Sequence, residues 1–217
     1  MNAPFSIIFD RSIPVREGED SCARVLVADM TPLMEDEALL STLTATLSPQ
    51  RREKAEAIRN LHVRALSVGV AVLFDCLLRE IGLRERDLRY TEGKHGKPEV
   101  EGNGSLHFNL SHSGHLAAAA LTTASVNLGL DIQQATRYRP ELVRRVFNEA
   151  DRQRLEACSD EADRLRLFTK MWCRAEAYAK ATGEGLKWPF PLPPAEARFD
   201  DFPVGEDYCG SLCLISS

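Results

Sequence analysis

Apolar side chains recur with a helical period from Phe168 to Ala179. Phe168, Met171, Trp172, Ala175 and Ala179 fall on one stripe. The stripe predicts an amphipathic helix over about 162–182, closed by Gly183, a residue free to take the positive φ that ends a helix. Glu176 and Lys180 lie one turn apart at the edge of this stripe, where the plain reading is a surface ion pair. A second helical period runs through Ile58, His62, Ala65, Leu66, Gly69, Val70, Leu73, Cys76 and Leu77. It predicts helix from about Arg51 to Glu80, broken near Asn60 and stopped by Gly82. Met34–Leu47 predicts a further helix, and Ser48-Pro49 marks the next start. Pro140 opens a short helix over Glu141–Phe147, and Asn148 with Asp151 forms a capping arrangement for the one after.

Between these helices lie β-type runs at Phe5–Phe9, Arg24–Ala28 and Tyr208–Ile215. Leu116–Leu121 and Val126–Ile132 flank a Thr-Thr-Ala-Ser turn and predict a β-hairpin. Residues 90–105, rich in glycine, and the proline-rich stretch 189–194 predict loops. Strands, then helices, then strands occur twice, so the expected fold class is α+β, built as two halves.

Composition narrows the function. The 217 residues carry a net charge of −5 and a sequence pI near 5.6, which argues against a nucleic-acid partner. Basic residues still gather at Arg51, Arg52, Lys54, Arg59 and Arg64, enough to hold a small phosphorylated ligand. The six cysteines form no C-x-x-C pair and no zinc spacing, so reduced thiols in a cytoplasmic protein are expected. Cys76 and Cys173 read as small buried apolar groups. No leader pattern opens the chain and no apolar run reaches membrane-spanning length, so no membrane partner is expected.

Candidate chemistry lies on three segments. In Leu128-Gly129-Leu130-Asp131-Ile132-Gln133 the period of two puts the aliphatic residues on one face and Asp131 with Gln133 on the other. A carboxylate beside an amide oxygen is a platform for a hard cation such as Mg²⁺, which fills its remaining positions with water and phosphate oxygens. Phe108-Asn109-Leu110-Ser111-His112-Ser113 offers hydroxyls, an imidazole and loop amides suited to phosphate. Its adjacent Ser and His invite a hydrolase reading, but the G-x-S-x-G turn is absent. Gly96-Lys97-Pro98, after Lys94 and His95, is a further phosphate or nucleotide contact.

These motifs, in this order over about residues 50–190 and ending in Trp172-Cys173-Arg174-Ala175-Glu176-Ala177-Tyr178-Ala179-Lys180-Ala181-Thr182-Gly183-Glu184-Gly185-Leu186, resemble the 4′-phosphopantetheinyl transferases of the surfactin-synthetase-activating type. The resemblance implies a pseudo-dimer of two similar α/β halves, 1–118 and 119–217, with the metal site in the second and a monomeric chain. It implies Mg²⁺-dependent transfer (Mn²⁺ as a substitute) of 4′-phosphopantetheine from coenzyme A to a serine of an apo acyl, peptidyl or aryl carrier protein, a holo-[acyl-carrier-protein] synthase activity. By position, Asp131 and Glu176 would hold the metal with Gln133 beside them, and Lys180 would reach the diphosphate. Arg64, Gly96, Lys97, Pro98, Ser111 and His112 would hold the nucleotide part, and Asp151 would take the serine proton. Lys54 and Arg59 would be further nucleotide contacts by the same resemblance, in a register that needs a small gap.

Two positions depart from the family pattern. Gln133 stands where the pattern has an acid, which removes one negative charge and predicts weaker metal binding in the absence of coenzyme A. Ala175 stands where it has lysine; Arg174 and Lys170 are the candidates to supply that charge, although residues adjacent on a helix point about 100° apart. Two rival readings remain: a coenzyme A-binding protein without turnover, and a serine hydrolase built on Ser111 and His112.

Overall fold

The computed structural model describes residues 5–16, 18, 20–93 and 97–216. The chain opens with two antiparallel strands, β1 (Ile7–Pro14) and β2 (Cys22–Asp29). Four helices follow: α1 (Thr31–Glu35), α2 (Glu37–Thr44), α3 (Pro49–Ala57) and α4 (Leu61–Glu80). A short ribbon of β3 (Tyr90–Glu92) and β4 (Pro98–Val100) leads to β5 (His107–Ser113) and β6 (Leu116–Thr122). The second part holds β7 (Val126–Gln134), α5 (Pro140–Val146), α6 (Glu149–Glu156) and α7 (Glu161–Thr182), closed by β8 (Ala197–Pro203) and β9 (Tyr208–Ser216).

The larger strands form two antiparallel sheets, ordered β1-β2-β6-β5 and β7-β9-β8. Strand periodicity decides how they stack. Leu26, Ala28, Phe108, Ala117, Ala119 and Leu121 of the first sheet face α4, where Phe74 stacks on Phe108 at 4.4 Å. The alternate residues Val25, Val27, Ala118 and Ala120 meet Leu128, Leu130, Ile132, Leu212 and Leu214 of the second sheet. On the far side of that sheet, Ala177 and Ala181 of α7 pack against Cys213. The order of layers is therefore helix, sheet, sheet, helix. Of the described residues only α4 is long and apolar enough to cross a membrane, and most of that stretch is buried in this core.

The expected β6–β7 hairpin does not form. β6 is buried along its whole length, on both faces, and pairs with β2 and β5 as an inner strand, while β7 pairs with β9 in the other sheet. The tight turn instead joins β5 to β6 at Gly114-His115, where Gly114 has φ +57°. The boundary expected at 118/119 falls inside β6, and the two sheets part at 123–125. The single helix expected over 34–47 breaks at Asp36, extended at φ −121°, whose carboxylate accepts from the Leu39 N–H and caps α2. β8 lies in a stretch to which the sequence pattern assigns no element, and it pairs along β9 as an edge strand.

Candidate functional site

Close approach of α7 to β7 creates the site. A Cβ at Gly129 would run into the Ala177 carbonyl and the Ala181 backbone, so glycine lets the helix lie directly on the strand. Small residues on that helix face, Cys173, Ala177 and Ala181, complete the fit. The next residue of β7 to point toward the helix is Asp131, and the residues beside the small face are Glu176 and Lys180.

Asp131 is 5% exposed. Its Oδ1 accepts from Lys180 Nζ at 2.6 Å and from Ser111 Oγ at 2.9 Å, and the same lysine lies 3.1 Å from Ser111 Oγ. Its Oδ2 is buried and has no hydrogen-bond partner. Glu176 is half-buried one turn before Lys180. Burial, and then the Asp131 carboxylate, raise its carboxyl above the ordinary range against the pull of Lys180. The surface ion pair expected between Glu176 and Lys180 gives way to one between Lys180 and Asp131.

Two neighbouring carboxylates served by one lysine, with a buried carboxylate oxygen lacking a partner, leave donor capacity that suits a hard divalent cation. Among the described residues no group of three or more His, Cys, Asp or Glu side chains is gathered, so protein ligands would share such an ion with water and phosphate oxygens. Gln133 leaves the same face of β7 as Asp131, and its Nε2 donates to the Gln134 carbonyl at 3.3 Å. It therefore lies beside the pair as an uncharged neighbour.

His112 lies on the α4 side of β5. Burial, and then the positive charge of Lys180, hold its imidazole below the ordinary histidine range. Ser111 is thus in the cluster and His112 adjoins it. The remaining assignments fall elsewhere. Lys97 Nζ donates to the Leu128 carbonyl at 3.0 Å and the Lys180 carbonyl at 2.8 Å, so its ammonium clamps β7 to the last turn of α7. Burial lowers its pKa. Pro98 is exposed at the start of β4, and Gly96, with Lys94 and His95, lies outside the described residues. Arg64 turns its guanidinium to the Ile58 carbonyl, at 2.8 and 2.6 Å, and braces the corner between α3 and α4. Lys54 and Arg59 are exposed.

Asp151 is not brought to this cluster. Its N–H and carboxylate are both engaged by Asn148 at the start of α6, the capping arrangement read from sequence. It lines an open cavity of about 200 Å³ with Met171, Ala175, Tyr178 and Ala179, the face of α7 turned away from Lys180. Nor do Arg174 and Lys170 replace the lysine missing at Ala175. Both pair with Asp201 on β8, at 3.7 and 3.2 Å, and Arg174 covers the Phe199 ring. Ala175 itself packs into the cluster of Phe147, Phe168 and Phe190.

A model of the 4′-phosphopantetheinyl transferase superfamily matches residues 127–214, the span that contains Asp131, Glu176 and Lys180. HetI of Nostoc, a 4′-phosphopantetheinyl transferase, is 30% identical over 160 residues, which cover 71% of this chain and 67% of HetI. The enzyme psf-1 of Bacillus pumilus is 30% identical over 170 residues, 76% of this chain and 71% of its own length. This chain belongs to the 4′-phosphopantetheinyl transferase superfamily. Sfp of Bacillus subtilis, another 4′-phosphopantetheinyl transferase, is 26% identical over 144 residues, which span 63% of its length. Within a 4′-phosphopantetheinyl transferase fold, the G-x-D motif gains a structural account: its glycine admits α7 and its aspartate meets what α7 brings. The Ser113 hydroxyl, read from sequence as a phosphate contact, and Asn109, which had no assigned role, both reach β7; their position on alternate residues of a strand was the available signal.

Proposed function

We propose that this chain transfers the 4′-phosphopantetheine group of coenzyme A to a serine of an apo carrier protein, releasing adenosine 3′,5′-bisphosphate. The carrying observation is the buried, unpartnered Oδ2 of Asp131 beside Glu176 and Lys180. Asp131 and Glu176 would hold Mg²⁺, which supplies charge neutralisation on the diphosphate of coenzyme A. Lys180 would move from Asp131 toward that diphosphate and offset the charge that builds on the departing nucleotide. The carrier serine oxygen forms the new bond to the phosphorus that bears pantetheine, and the bond from that phosphorus to the nucleotide breaks. Glu176 would take the serine proton, since Asp151 faces the other side of α7. Further parts of the proposal are two similar halves in one monomeric chain and a reducing, cytoplasmic setting.

Incubation of the chain with coenzyme A, MgCl₂ and a panel of apo carrier proteins tests this reading. The expected result is a carrier heavier by one phosphopantetheine, with adenosine 3′,5′-bisphosphate released in equal amount. Coenzyme A binding with no transfer to any carrier would instead make the chain a binding protein. Labelling of Ser111 by a fluorophosphonate would favour the hydrolase.

A further inference from the structure

The edge strands β5 and β7 of the two sheets lie against each other, yet among the described residues no backbone-to-backbone bond joins them. Side chains of β5 take the place of a strand partner. Asn109 Oδ1 accepts from the Leu130 N–H at 3.0 Å, Ser111 Oγ from the Ile132 N–H at 3.2 Å, and Ser113 Oγ from the Gln134 N–H at 3.0 Å. The three rungs advance by two residues on both strands, so every rung rises from one face of β5 and meets one edge of β7.

The middle rung does two things. Ser111 receives the Ile132 N–H and donates to Asp131 Oδ1, so the register of β7 and the setting of Asp131 are fixed at one oxygen. A slip of one residue would turn Asp131 to the apolar face between the sheets. A slip of two would carry it roughly 7 Å from Ser111 along the strand. Ser111 alone cannot exclude such slips; the rungs on either side can. Asn109 is buried at its rung. At the other end Gly114 closes over β7, where a Cβ would strike the Tyr208 hydroxyl and the Gln134 side chain.

We infer that Asn109 and Ser113 are positioning residues, the outer rungs of a side-chain clasp that holds Asp131 in register with Ser111 and Lys180. The inference rests on the proposed coenzyme A reaction and deepens it: metal-dependent coenzyme A binding should require two side chains that touch neither metal nor ligand.

The test uses the full chain, with coenzyme A titrated calorimetrically across a range of MgCl₂ and amide exchange followed residue by residue. In Ser113→Ala, exchange at Gln134 rises, and the Mg²⁺ needed for half-maximal coenzyme A binding increases by about tenfold or more, the usual effect of losing a residue that orients a metal ligand. Ser113→Thr restores both readings because the hydroxyl returns. Asn109→Leu, which keeps bulk and loses the acceptor, repeats the effect at Leu130. Faster exchange at Gln134 with unchanged magnesium dependence would overturn the positioning role and leave a purely structural bond. A wild-type chain that takes no coenzyme A at any MgCl₂ concentration would overturn the functional reading, and the positioning role with it.

Discussion

α4 and α7 are the two long helices, 20 and 22 residues, and each covers one sheet. They do so with opposite materials. α4 buries Leu66, Leu73, Phe74, Leu77 and Leu78, and its one buried acid, Asp75, is matched by Arg79, Arg84 and the Glu85 N–H. α7 meets its sheet through Cys173, Ala177 and Ala181 and leaves beside them a carboxylate pair in which one oxygen is unanswered. Bulk gives α4 a large apolar contact. Smallness gives α7 a short distance, and that distance brings Glu176 and Lys180 to Asp131. At the sheets, bulk and the candidate chemistry are thus carried by different helices.

That division can be broken by experiment. The largest effect belongs to the α7 side: Asp131→Asn or Glu176→Gln should lower the transfer rate by about a hundred- to a thousandfold, the range for removing a group that stabilises developing charge. The thermal midpoint should stay within a few degrees of wild type, and a collapse of the fold would show that α7 carries stability as well. Next comes Phe74→Ala, expected to cost about 3–5 kcal/mol in denaturant titration because a buried ring stacked on Phe108 leaves a cavity. The fraction still folded should keep its coenzyme A affinity. Gly129→Ala should cost less, about 1–3 kcal/mol of overpacking against the α7 backbone, and still lower the transfer rate, since it lifts the helix that aims Lys180.

The smallest effect is a pH dependence of Asp75. Burial raises its pKa, but the Arg84 guanidinium, the Glu85 N–H and Arg79 outweigh burial and hold it below 3.8. A carboxyl depressed by folding adds stability above its unfolded value, and that stability is lost as pH falls through the folded one. The stability gap between wild type and Asp75→Asn should therefore be constant near neutrality and narrow from about pH 4 downward. A gap that does not change with pH would mean that Asp75 acts by shape alone.

The sequence was most legible where the physics is local. The periodicity of α7, the break at Asn60, which caps α4 by accepting from the Val63 N–H, and the closing Gly183 at φ +64° all depend on neighbours within a few residues. So did the face of Asp131 opposite Leu130 and Ile132. Strand partnership was not legible, because β6 and β7 are adjacent in sequence but their partners lie up to about a hundred residues away. β8 escaped because an edge strand, half-exposed nearly throughout, shows no clean alternation. Lys97 and Arg64 were assigned to a nucleotide by resemblance. Their partners are backbone carbonyls, which a sequence does not advertise.

β6 has a consequence for how this protein can change over time. Ala117 and Ala119 face α4, Ala118 and Ala120 face the second sheet, and all four are fully buried. Four methyl groups thus set the thickness of the whole molecule at its centre. Any larger side chain there would wedge one pair of layers apart, at about 1–3 kcal/mol each. Glycine would loosen the strand from within, at about 0.5–1 kcal/mol. A saturation library over these positions should return little besides alanine and glycine, leaving 117–120 little room to change, although none of its residues lies in the Asp131–Glu176–Lys180 cluster.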